Sequence, residues 1–175
     1  MNSKAKELFH SDIKRYDGKC QYLIKQFHKY FRLSQTCNNK ILSLYYRFRL
    51  NLIKKKRGIE IPYKIKCGRG LYLGHAYNIT INTNAVFGDN INIHKGTTIG
   101  QENRGKRKGA PSIGNCVYIG VNATVVGAIT VGDDVLIAPN SYVNCDVPSH
   151  SIVFGNPCII KHRENATEGY VNNLA

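Results

Sequence analysis

The chain has 175 residues, 42% of them aliphatic or aromatic, and a formal charge of +14. That size allows one domain with a real core plus a modest appendage, and it leaves two full domains cramped. Six cysteines stand far apart with no CxxC pair and no matching histidine spacing; this pattern suggests neither a zinc site nor a disulfide framework and fits reduced thiols in a cytoplasmic setting.

Residues 1–57 read as a basic α-helical region. Tyr22, Leu23, Phe27, Tyr30 and Phe31, and then Ile41, Leu42, Leu44, Tyr45, Phe48 and Leu52, recur at helical spacing and predict two or three helices. The positive excess is concentrated here, which points to a polyanion or an anionic membrane face as a partner. Segment 41–57 ends in Lys54, Lys55, Lys56 and Arg57; it could lie peripherally on an anionic bilayer, although such a stripe also packs on neighbouring elements. No apolar run approaches the length of a membrane span, and the polar N-terminus does not direct secretion.

From Ile61 onward the apolar period becomes six. Ile61, Cys67 and Leu73 form one series; after a two-residue slip it resumes at Ile81, Phe87, Ile93 and Ile99, and past an insertion at Ile113, Ile119, Val125, Val131, Ile137 and Val143. A six-residue unit is a short strand plus a turn, too small to bury its own side chain, so the units must wind and stack as a parallel β-helix. Gly, Asn and Asp at the intervening corners tolerate the left-handed backbone that such corners use. Spacing leaves the hand of the coil open. The expected organisation is the helical region 1–57, a β-helix over 58–161 with a protruding loop 101–112, and a C-terminal tail 162–175.

Several blocks in this region resemble the hexapeptide-repeat acyltransferases, in particular the serine acetyltransferase-like branch that includes O-acetyltransferases of capsule and exopolysaccharide synthesis. They are GIEI (58–61), GLYLGHAYNITIN (70–82), GTTIG (96–100), the loop QENRGKRKGAPSIG (101–114), YIGVNATVVGAITVG (118–132) and VPSHSIVFGNP (147–157). The resemblance implies a mainly β fold, a left-handed parallel β-helix, and acetyl-CoA as co-substrate with no metal. It also implies a homotrimer with active sites at subunit contacts.

It further implies that His75 is the general base and that Glu60, about one coil earlier, orients it. Fifteen residues separate them, nearly one eighteen-residue turn, so the two could meet at one edge of strands stacked about 4.8 Å apart. An imidazole is suited to removing the proton of a weakly nucleophilic hydroxyl as it attacks a thioester. His94 is the rival base, or a group lining the acceptor pocket. The other four histidines, His10, His28, His150 and His162, are expected on the surface.

Loop 101–112 carries Arg104, Lys106, Arg107 and Lys108 around Gly105 and Gly109; a mobile basic loop of this kind could cover coenzyme A phosphates or draw in an acidic acceptor. By resemblance, Gly100, Gln101, Arg104, Lys106, Gly120, Val121, Pro139 and Lys161 are the cofactor-side residues. Serine acetyltransferases carry Asp, Arg and His where this chain has Gly74, Gly109 and Ala110, so the expected acceptor is a saccharide hydroxyl, with serine as the alternative. A non-catalytic basic scaffold on membrane or polyanion is the alternative from another class, and nucleic acid is not an expected partner.

Overall fold

The computed structural model describes residues 2–175 and divides them between three helices and a parallel coil. α1 (Ser3–Lys14) starts at Asn2, whose side-chain oxygen accepts from the Ala5 amide at 2.8 Å. α2 spans Tyr22–Thr36 and α3 spans Lys40–Arg57, the latter capped by Asn39, which accepts from Leu42 N. Gly58 closes α3 in the left-handed region at φ 60°, where a side chain would be strained, and the chain passes directly into the first coil.

Each later turn of the coil supplies one strand to each of three parallel sheets. The first turn gives β1 (Lys66–Cys67), β2 (Tyr72–Gly74) and β3 (Thr80–Ile81); the second gives β4 (Val86–Phe87), β5 (Asn92–His94) and β6 (Thr98–Gly100). The third and fourth give β7 (Ser112–Ile113), β8 (Tyr118–Ile119), β9 (Thr124–Val126), β10 (Thr130–Val131), β11 (Val135–Ile137) and β12 (Tyr142–Val143). The sheets run β1-β4-β7-β10, β3-β6-β9-β12 and β2-β5-β8-β11, the last extended by β13 (Ser151–Phe154) and the antiparallel β14 (Ile159–His162).

The fold is a left-handed parallel β-helix preceded by helices. The six-residue series is its register: Leu73, Ile93 and Ile119 stack as ladder partners, as do Ile81, Ile99 and Val125. These aliphatic residues are buried inside the coil, with the hexad residue two positions earlier, such as Ala85, Thr97, Val117 or Ala123, buried beside them. Corners are turned by left-handed residues, including Asn78, Asn90, Asn122, Asp134 and Asn140.

The front helices share one continuous core with the coil, and a buried polar cluster fixes their seat. Asp12 accepts from Arg32 Nε at 2.7 Å and Nη2 at 2.8 Å, from His28 Nδ1 at 3.2 Å and from the Leu71 amide at 2.9 Å. Arg32 also donates to the carbonyls of Cys67 and Gly68. Burial pushes the Asp12 pKa up, but the bonds from Arg32 and His28 hold it below the ordinary carboxylate value.

His28 is therefore fully buried, which corrects the expectation that it lies on the surface: the Asp12 carboxylate and the Tyr16 hydroxyl, 2.9 Å from Nε2, replace its water shell. Residues 163–175 fold back on the coil, where Asp134 accepts from Ala166 N and Thr167 N and Asn92 donates to Tyr170 O at 2.8 Å. All six cysteines are free thiols. Among the described residues no helix is long and apolar enough to cross a membrane, and no group of three or more His, Cys, Asp or Glu is placed to hold a metal ion.

Candidate active site

The slip noted between Leu73 and Ile81 is a bulge at the corner joining β2 to β3. On the coil below, the adjacent residues Lys95 and Gly96 donate their amides to Gly74 O at 3.0 Å and Tyr77 O at 2.9 Å. The two extra residues, His75 and Ala76, are left to arch between those carbonyls. Ala76 turns in and is 1% exposed; His75 turns out, exposed to solvent, at φ 48°. A non-glycine residue in that region is uncommon and costs energy, so the surrounding hydrogen bonds must hold it there.

The same corner continues down the coil through Lys95, Val121 and Pro139. Asn122 N donates to Lys95 O at 3.0 Å and Asn140 N to Val121 O at 2.9 Å. Gly120 lies against Pro139 so closely that an added Cβ would come within 2.6 Å of its nitrogen. Three residues expected on the cofactor side, Gly120, Val121 and Pro139, therefore line the edge that carries His75. Pro139 offers no amide hydrogen, so the donor groups of this edge come from its neighbours. Lys161, on β14, is farther along the same sheet, with its ammonium 5.8 Å from the Phe154 ring.

Other expected site residues stand elsewhere on the chain. Gly100 ends β6, and Gln101 bonds Asn82 at 3.2 Å and Asn103 at 2.8 Å. Arg104 and Lys106 are exposed on the next corner, between β6 and β7. The basic loop is laced to itself and to the coil rather than hanging free: Glu102 and Gly109 exchange both backbone bonds at 3.0 Å, Ala128 N donates to Arg107 O, and Arg107 pairs with Glu102 at 3.3 Å.

Glu60 is exposed and bridges Thr80 through its backbone, with Glu60 N donating to Ile79 O at 2.7 Å. No hydrogen bond or ion pair joins it to His75 among the described residues, so the expected meeting of the two is not made here. The ladder explains the offset: Glu60 is in register with Thr80, past the bulge, and the two inserted residues carry His75 away from it.

His94 is the feature that spacing could not reveal as structurally coupled to the site. Its strand partner is Gly74, and its ring lies where a side chain of residue 74 would go, so that an added Cβ would run into Cε1 and Nδ1. The ring also faces Tyr72 of the same neighbouring strand at 6.1 Å and, on its other side, Tyr118 at 4.7 Å. Its Nε2 is buried without a hydrogen-bond partner. Burial, with a smaller contribution from His75, lowers its pKa to about 4, so near neutral pH the ring is uncharged and can both donate and accept.

A left-handed coil of six-residue repeats, with an outward histidine and a neutral one behind it, fits the class that the resemblance implies, the hexapeptide-repeat acyltransferases that use acetyl-CoA as acyl donor. No protein-family model matches the chain. It is 36% identical over 126 residues to a serine acetyltransferase of Helicobacter pylori, an alignment covering 72% of this chain and 74% of the relative. It is also 36% identical over 112 residues to a serine acetyltransferase of Staphylococcus aureus, covering 64% and 53%. Among solved structures, the serine acetyltransferase of Neisseria gonorrhoeae in complex with serine superposes with a TM-score of 0.71 at 28% identity, over 91% of this chain and 70% of that one. The soybean serine acetyltransferase apoenzyme shares the fold with a TM-score of 0.76 at 22% identity, over 91% and 70%. The chain belongs to the serine acetyltransferase family.

Membership corrects two expectations. The scaffold without acyl transfer is set aside, and so is the saccharide acceptor with its link to capsule synthesis, because these relatives are serine acetyltransferases. Two of the three positions on which the saccharide expectation rested, Gly74 and Gly109, have a local packing cause. Residue 74 is glycine because the His94 ring fills its side-chain space, and Gly109 sits at φ 136° with its Cβ position 3.0 Å from the Ala128 methyl.

Proposed function

We propose that the chain is a serine O-acetyltransferase in which His75 is the general base. The observation that carries the reading is the 36% identity over 126 residues to the Helicobacter pylori serine acetyltransferase; the exposed His75 corner supports it. In the proposed step the His75 imidazole takes the proton of the serine hydroxyl as that oxygen attacks the thioester carbonyl. The tetrahedral oxyanion collapses, the C–S bond breaks, and the departing thiolate recovers the proton from the imidazolium. The products are O-acetylserine and free coenzyme A.

Glu60 is proposed as the acid that steadies the imidazolium through a side-chain rotation once substrates occupy the corner. His94 is proposed as an acceptor-side wall, its uncharged ring backing Gly74 while its free Nε2 offers a hydrogen-bonding site. A homotrimer is proposed as the working form, since it would set the basic loop of one protomer, with Arg104 and Lys106, against the His75 edge of the next. There the loop cations would meet the phosphates of the acyl donor.

The test is thiol release from acetyl-CoA with serine as acceptor. Serine turnover is expected, and His75→Ala should lower kcat about 10²–10⁴-fold, the usual contribution of a general base. His94→Ala should cost far less. Absence of serine turnover would overturn the acceptor, and full activity in His75→Ala would overturn the base.

A further inference from the structure

We propose that the outward face of α3 docks on an anionic lipid bilayer. Helix α3 is packed through Ser43, Tyr46, Leu50 and Ile53, which lie on its inner side. On the 3.6-residue period the opposite side presents Ile41, Leu44, Phe48 and Leu52. These are 81%, 65%, 59% and 44% exposed, so the helix has two apolar faces and the fold uses one. A contiguous exposed stripe of large apolar residues marks an interaction surface rather than ordinary surface scatter.

Charge selects the occupant. The helix carries seven Lys and Arg and no Asp or Glu, and among the described residues none of these cations pairs with a carboxylate within 4.0 Å. On the helical period Lys40 and Arg47 fall on one flank of the stripe and Lys56 and Arg49 on the other, with Lys55 within it. This is the layout of an interfacial helix, apolar residues in the acyl boundary and cations at the headgroup phosphates. A groove of about 270 Å³ between α2 and α3 opens beside Leu52, with Arg49 and Lys56 on its rim, and gives a phosphate headgroup a seat. A twofold contact with a second copy of the chain fits poorly, because it would press each flank of cations against cations.

The helix runs through Gly58 into the coil that carries Glu60 and the His75 corner, so a docked helix would hold the active edge close to the bilayer surface. Docking is independent of the acceptor and is read without substrate.

The full chain is sedimented with vesicles of phosphatidylcholine alone and of phosphatidylcholine with phosphatidylglycerol, and its mass is followed in parallel by light scattering. Binding is expected on the phosphatidylglycerol vesicles and should weaken in 0.5 M salt, where charge is screened. Lys40→Gln, Lys55→Gln and Lys56→Gln together should lower partitioning about a hundredfold, at about fivefold per cation. Leu44→Asp with Phe48→Asp should abolish it while thiol release and the melting temperature stay as in the parent. Equal binding to both vesicle types, or none, overturns the proposal; so does a fall in oligomeric mass of the Leu44→Asp, Phe48→Asp protein alongside a parent that ignores vesicles, which would assign the face to self-association.

Discussion

The coils from Ser112 to Val143 and the helices from Ser3 to Arg57 are held by opposite means. In the coils each strand repeats the solution of the one below: Ile113, Ile119, Val125, Val131, Ile137 and Val143 fill one stacked interior, and every one is at most 2% exposed. The helices reach the coil through the shared apolar core and through polar contacts made once, among them the Asp12, Arg32 and His28 cluster and the Tyr16 hydroxyl, which accepts from Leu73 N at 2.8 Å. A repeating contact shares its load among neighbours. A single buried ion pair concentrates it, because loss of one partner strands the other charge.

The sharpest test of that difference is Asp12→Ala. It leaves the Arg32 guanidinium, with no exposed side-chain surface, without its carboxylate, and should destabilise the chain by about 3–5 kcal/mol in urea unfolding. A loss under 1 kcal/mol would mean that the buried cluster does not concentrate the load that seats the helices.

A smaller effect probes the bulged corner where the repeat is broken. Gly74→Ala drives a methyl into the His94 ring and should cost about 1–3 kcal/mol, the usual penalty of overpacking. His94→Ala in the same chain should recover most of it. If the double variant is as unstable as the sum of the singles, the ring does not occupy that space.

The smallest effect is in the pH dependence. His94 has its pKa lowered from 6.5 to about 4, so below 6.5 the unfolded chain takes a proton that the folded one refuses. Stability is retained above pH 6.5 and falls as the pH drops toward 4. Melting curves of His94→Phe should lack this part of the acid slope; an unchanged slope would place the titration elsewhere.

The sequence disclosed the coil because its information is local and repeated. Each hexad aliphatic faces inward at the strand positions its spacing assigns, and the slip before Ile81 marked the corner where His75 turns outward. The same reasoning placed His28 at the surface, because a lone residue in a chain without period says nothing about what packs over it. It set Glu60 about one coil from His75, and the two-residue bulge shifts that register, which counting treats as uniform.

The acceptor is the instructive case between the two. Gly74, Gly109 and Ala110 looked like lost recognition groups when read as a row of letters. Tertiary packing shows the His94 ring in the space of one and a methyl close against another, so side-chain volume accounts for those two glycines.

By itself the amino-acid order determined a parallel β-helix behind basic amphipathic helices, since period six and period 3.6 each dictate which side chains must be buried. Only the tertiary structure decided how the helices dock, which histidine is exposed and which is held neutral, and which apolar face of α3 is left uncovered. Those outcomes depend on contacts between residues far apart in the chain, where burial and hydrogen bonding are set by whatever the fold brings alongside.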